Sequence, residues 1–322
     1  MKNFCYAICV SICTLTLTVC AAESTAITSN AASSPHTAQD MGNLYYDTGK
    51  DCGGNTAPAF LCSGIIIRET ARPVAGQSYY FWQPSPSSLH EGAVSFSYIR
   101  HDARFDKFKS NGSHGYTLYP LLGKYRYSGS DRKIKLDVLC SFPLDGWTDY
   151  RQNEGCGPDT TYLKQSSPCQ GQGITTAQQW LTQYKSGDGG LNQSNGLYQC
   201  GFDVSEGSKY GNTAQAFYAT IQARDMFNDV SFQEQDELRL TVWTTDVDPS
   251  VLPIQSLFYI VANSNDDGGQ GLKDAQEDQS DYYKVTNGGF IPIIRITLPQ
   301  SSSSDFDFHF IASDQFVPIP SN

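Results

Sequence analysis

The placement of the ten cysteines constrains the fold more than any other feature of the chain. Cys5, Cys9, Cys13 and Cys20 lie in or beside an apolar stretch from Phe4 to Val19, which follows the charge of Lys2. One positive charge and then a short greasy segment is the pattern of an export signal. A membrane-spanning helix needs about 20 strongly apolar residues. This stretch is shorter and carries Ser11, Thr14, Thr16 and Thr18. Small residues at Ala21 and Ala22 suit cleavage, giving a signal peptide over 1–22. The rival is lipidation at Cys20, against which Val19 stands, because a small residue usually precedes a lipoprotein cysteine. The remaining cysteines are Cys52, Cys62, Cys140, Cys156, Cys169 and Cys200. An even set in an exported chain implies disulfides. A metal site is the weaker alternative, since no CxxC pair exists. Cys52–Cys62 is the first local bridge expected and Cys140–Cys156 the second.

The chain is 322 residues long and has a net charge of −11, which disfavours nucleic acid and anionic membrane as partners because both call for a basic face. Apolar residues make up 39%, so a core is available. No later segment is apolar enough to span a membrane. The expected location is therefore extracellular or periplasmic.

Residues 23–43 are rich in Ser, Thr and Ala and read as a flexible mature N-terminus, leaving 44–322 as a single domain. Two long polar loops, about 145–174 and 187–210, hold Cys156, Cys169 and Cys200. Strands rich in β-branched and aromatic residues are expected at 64–68, 93–99, 116–122, 134–142, 237–244, 256–262, 290–298 and 306–311. Helices are expected from Ala177 to Tyr184, capped by Thr175, and after Asn212. The fold class is α+β, predominantly β with few helices.

Three patterns carry candidate chemistry. The apolar strand Gly64-Ile65-Ile66-Ile67-Arg68 ends in an arginine whose fork suits a phosphate. Ser95 and Ser97 stand two apart on a strand and so share a face. Gln235-Asp236-Glu237 opens another strand. Taken alone, the three read more readily as a surface ion pair, an exposed strand face and an acidic turn. In this order they resemble the Arg, Ser-x-Ser, Gln/Glu-x-Glu pattern of cholera-toxin-like ADP-ribosyltransferases. The gap from Ser97 to Gln235 is longer than in those toxins, which places insertions at about 140–210.

A wider similarity joins these motifs. The runs Phe60-Leu61-Cys62-Ser63-Gly64, Gly92 to Arg100, Cys140-Ser141-Phe142-Pro143, Gln199-Cys200-Gly201-Phe202-Asp203, Glu237-Leu238-Arg239 and Ile291-Pro292-Ile293-Ile294 resemble the halovibrins. These are secreted bacterial proteins described as ADP-ribosyltransferases or NAD glycohydrolases. The resemblance implies an ADP-ribosyltransferase-like core that cleaves the nicotinamide–ribose bond of NAD+. Glu237 is then the carboxylate that stabilises charge on the sugar, and Ser95 orients it. Arg68 holds the diphosphate, and Ser97 lines the nicotinamide pocket. One of Tyr79, Tyr80, Phe81, Trp82 and Tyr98 stacks on the nicotinamide. Gln235 stands where arginine-modifying toxins carry glutamate, which favours water over a host protein as acceptor.

The segment from Asn263 to Asp274 reads as an incomplete calcium loop, since such loops want Asp first and Glu last. No metal is otherwise expected. GxSxG, HExxH and P-loop motifs are absent. The reading from another class is a disulfide-stapled β-rich binding protein, lectin-like or adhesin-like, without catalysis.

Overall fold

The structure is a computed structural model, and it describes residues 35–49, 52, 55–70, 80–108, 112–121, 136–145, 168–186, 200–228, 235–262 and 266–316. Among the described residues nine strands form one mixed sheet in the order β5-β4-β6-β2-β1-β3-β7-β8-β9. They are β1 Ile65–Glu69, β2 Ala93–Ile99, β3 His114–Leu118, β4 Val138–Phe142, β5 Phe202–Asp203, β6 Glu237–Thr241, β7 Ile254–Val261, β8 Ile293–Thr297 and β9 Asp307–Phe310. Every pairing is antiparallel except β7 with β8. A parallel pair needs a long crossover, and helix α5, Gly269–Val285, supplies it.

The other helices are α1 Pro35–Tyr46, α2 Pro86–Glu91, α3 Ala177–Ser186 and α4 Thr213–Asn228. The class is α+β, but not predominantly β: among the described residues more lie in α-helices than in strands. Helix α1 also replaces part of the expected flexible N-terminus. It buries Met41 and Tyr45 completely in a cluster with Ile65, Ile67 and Phe306. Thr176, rather than Thr175, caps α3. Its hydroxyl accepts from the Gln179 N–H at 3.3 Å, and Gln179 Oε1 accepts from the Thr176 N–H at 3.1 Å. This is a reciprocal capping box.

The sheet buries both faces unequally. The larger core gathers Val94, Phe96, Tyr98, Tyr116, Leu238 and Leu240 with residues of α3 and α4, including Trp180 and Phe217. The smaller lies on the other face, between α1 and Ile65, Ile67, Ile99 and Phe258. Each fully buried side chain of this size contributes about 1.5–3 kcal/mol. Gly64 has φ +69 and a Cβ there would overlap the Tyr98 ring, so the start of β1 requires glycine.

Cys52–Cys62 is a disulfide, as the spacing suggests. Cys169–Cys200 is a second, joining the two long polar loops. Cys140 is also disulfide-bonded; the expected Cys140–Cys156 pairing involves Cys156, which lies outside the described residues.

Candidate active site

The site is built where the sheet divides. Residues 97–99 of β2 pair with β1, as in Ile67 opposite Ser97. Residues 93–96 pair instead with β6, as in Ser95 opposite Arg239. The last residues of β1, Arg68 and Glu69, pair with Tyr116 and Gly115 of β3. Strand β2 thus joins two half-sheets, and Ser-x-Ser straddles the handover.

Residues directly opposite in an antiparallel pair share a face. Ser95, Ser97, Glu237 and Arg239 therefore lie on one face. Ser95 Oγ donates to Glu237 Oε1 at 2.6 Å across 142 residues of sequence. Arg239 Nε donates to the same oxygen at 2.9 Å. Ser95 is exposed, whereas Glu237 and Arg239 are each only 2% exposed. The Arg239 guanidinium sits over the Phe142 ring, 5.4 Å from its centroid. Cys140, opposite Arg239 in register, ties this wall to its disulfide partner.

Arg68 emerges on the other face, over Phe96, with its guanidinium 5.7 Å from the ring centroid. It reaches back in the sheet plane to the divergence, where Nη1 donates to the Ser95 carbonyl at 3.3 Å. Its Nε is buried without a hydrogen-bond partner. No carboxylate among the described residues pairs with it. The neighbouring Tyr116 hydroxyl is also buried and unbonded, and burial pushes it up to about 12 against the pull of Arg68.

Three other expected residues take different positions. Ser97 is buried, and its hydroxyl donates to the Asp236 carbonyl at 3.1 Å, so it does not line an open pocket. Tyr98 is a core residue rather than a ligand contact. Its ring packs against Phe60 and Phe217 on the face opposite Ser95, and its hydroxyl donates to the Ser63 carbonyl at 2.9 Å. Gln235 donates to Asp145 Oδ2 at 2.9 Å, while the Asp145 N–H donates to the Gln235 carbonyl at 2.6 Å. This double tie fixes the entry to β6. Among the aromatic candidates Phe81 and Trp82 are buried, and Tyr80, 41% exposed, stacks on Trp82 at 4.4 Å. Tyr79 lies outside the described residues.

Asp236 is fully buried beside Glu237, and its Oδ1 accepts from the Tyr98 N–H at 2.8 Å. Burial drives its carboxyl up to about 8, against the opposing effects of the Tyr98 N–H and Arg224. Between pH about 4 and 8 the folded chain therefore keeps a proton that the unfolded chain has lost. Stability contributed by the protonated form is full below this window and falls as pH rises through it. Asp236→Asn keeps the acceptor for Tyr98 and removes the ionisation. The expected result is that wild type loses at least ~2 kcal/mol more than the variant between pH 5 and pH 8.5. Urea midpoints at the two pH values measure this, and equal losses would count against the assignment.

The segment that reads as an incomplete calcium loop is described from Asp266 onward. Asp266 and Asp267 accept from the N–H groups of Gly268 and Gly269 ahead of α5. Asp274 is buried inside α5, where Gln270 donates to it at 2.7 Å. Positions 263–265 lie outside the described residues. Among the described residues no group of three or more His, Cys, Asp or Glu could hold a metal ion.

Sequence reasoning missed the part played by Arg239. The signal was present, since Glu-x-Arg on a strand puts both side chains on one face. Compared with known proteins, the chain matches no family model, no curated protein and no solved structure.

Proposed function

We propose that this protein is a secreted enzyme that cleaves the nicotinamide–ribose bond of NAD+, with Glu237 as its catalytic carboxylate. The observation that carries this reading is the 2.6 Å bond from the exposed Ser95 hydroxyl to Glu237, made where the two half-sheets part. Three motifs dispersed over 170 positions of sequence meet at that point, through contacts of Ser95 with both Glu237 and Arg68.

The chemistry follows from the substrate. The bond breaks through an oxocarbenium-like state, as in glycoside hydrolysis. Nicotinamide leaves neutral with the bonding electron pair, and positive charge develops on the ribose. Glu237 accepts a hydrogen bond from the ribose 2′-hydroxyl and stabilises that charge. A group fixed before the reaction gives up no reorganisation energy in the transition state. Ser95 holds the carboxylate in place. Water then adds to the ribose carbon and loses a proton, releasing ADP-ribose. Water is favoured over a protein acceptor because the Gln235 amide cannot act as a base and is tied to Asp145.

Arg68 is the ligand for the diphosphate in this reading. A half-buried guanidinium with no carboxylate partner among the described residues is suited to an anion supplied by substrate. Arg68→Lys loses the planar fork and is expected to raise the Michaelis constant for NAD+ about tenfold while kcat changes less than about threefold. Steady-state kinetics decide this, and an unchanged Michaelis constant removes Arg68 from the substrate contact. The reading as a whole is tested by incubating the purified protein with NAD+ and assaying free nicotinamide. Retention of NAD+ without turnover would instead favour the binding-protein reading.

A further inference from the structure

We propose that Arg239 is a positioning residue of this site, which keeps the Glu237 carboxylate ionised and aimed from two residues along the same strand. The inference rests on the assignment of Glu237 above and extends it to how the site is regulated by pH.

Glu237 presents a physical problem. A carboxyl that is 2% exposed is driven towards its neutral form by loss of hydration. A neutral carboxyl cannot stabilise a developing cation. The other charged groups nearby aggravate this. Glu91 and Asp145 lie within electrostatic reach of Arg239, and Asp236 adjoins Glu237. Glu91 and Asp145 are acids whose charge opposes ionisation of Glu237, and Asp236, which burial keeps protonated up to about pH 8, supplies no positive charge to favour it.

Arg239 answers the problem by position. Its Nε donates to Glu237 Oε1 at 2.9 Å, the same oxygen that Ser95 binds at 2.6 Å. Two donors from two strands, converging on one oxygen, leave the carboxylate little freedom to turn. The guanidinium is itself immobilised against Phe142. Burial works to lower its pKa, but the charge and hydrogen bond of Glu237, with the charges of Glu91 and Asp145, together hold it up, so it stays charged. An opposite charge this close lowers a carboxyl pKa by ~1–3 units.

Removing the charge should therefore move the pH at which activity is lost, and not only the rate. In Arg239→Met the acid limb of kcat/KM for NAD+ cleavage is expected to shift upward by about one pH unit or more. Arg239→Gln keeps one N–H donor without the charge and should show the same direction. Arg239→Lys keeps the charge without the fork and should retain the wild-type limb with a lower kcat. A rate reduced by the same factor at every pH would mean a merely structural ion pair and overturn the proposal. Carbon-13 NMR titration of the Glu237 carboxyl in labelled wild-type protein reads the same property without substrate or folding variants. The expected result is a carboxylate that stays ionised down to the ordinary glutamate range. A carboxyl already half protonated at neutral pH overturns the positioning role. Absence of NAD+ cleavage in wild type would instead sink the catalytic reading, and the titration would still decide what Arg239 does to Glu237.

Discussion

Replacing Glu237 by Gln is expected to lower the rate of NAD+ cleavage by ~100-fold or more, since it removes a charge that acts in the transition state. The side chain keeps its shape and can still accept from Ser95 and Arg239. It leaves the Arg239 guanidinium buried without a countercharge from Glu237, however, and breaking a buried pair this way costs about 3–5 kcal/mol. Activity and stability should therefore fall together, and the two effects must be separated. The double variant Glu237→Gln with Arg239→Met removes the guanidinium as well. It is expected to recover most of the lost stability and none of the activity. Urea unfolding and nicotinamide release, measured on all three proteins, check both halves. A single variant that keeps more than a tenth of the wild-type rate would remove Glu237 from catalysis.

The second large effect concerns the disulfide between the polar loops. Cys169–Cys200 closes a segment with a sequence separation of 31. In the chain-entropy account such a closure contributes ~3–4 kcal/mol by restricting the unfolded chain. Both cysteines are buried, and the bridge sits in a hydrogen-bonded frame. The Cys169 N–H donates to the Gly201 carbonyl at 2.9 Å, and Trp180 Nε1 donates to the Cys200 carbonyl at 3.1 Å. Trp180 is in turn stacked on Tyr184 within α3. Changing Cys169 and Cys200 together to Ala is expected to cost ~3–4 kcal/mol and to loosen the docking of α3. Denaturant unfolding followed by tryptophan fluorescence measures this. A loss under about 1 kcal/mol would show that packing, not the cross-link, holds these loops.

The sheet was largely legible in the sequence because its strands are rich in Ile, Val and Phe between turn residues. All the strands expected from composition are present, with ends displaced by a few residues. The two-residue β5 is too short to carry a pattern. The helices were harder to see. Helix α5 buries Gly271, Asp274, Ala275, Asp278 and Gln279. Their spacing is helical, but most are polar, so no apolar stripe betrays them. There His114 lies 3.5 Å from Asp278, whose carboxyl burial pushes well above its ordinary value. Helix α1 was hidden in a stretch of small residues, though Met41 and Tyr45 at i and i+4 anchor it.

The site was legible in part for the same kind of reason. Alternation put Ser95 and Ser97 on one face, and the sheet order then brought β2 beside β6. What alternation could not reveal was that β2 changes partner between Phe96 and Ser97. Ser97 is buried there beneath the Asp236 carbonyl, and Arg68, next to Ile67 that pairs with Ser97, falls on the far face. Tyr98 follows from alternation once the core face is known, since it stands one residue from Ser97 and so points into the larger core.

The most direct test is to incubate the purified protein with NAD+ labelled in its adenylate half, with and without a protein lysate, and to follow free nicotinamide, free ADP-ribose and protein-bound label. The account predicts stoichiometric release of nicotinamide and ADP-ribose, with little label on protein. Label that becomes mostly protein-bound in an enzyme-dependent way would replace water by a protein acceptor, and NAD+ that remains intact would contradict the assignment of Glu237 as a catalytic carboxylate.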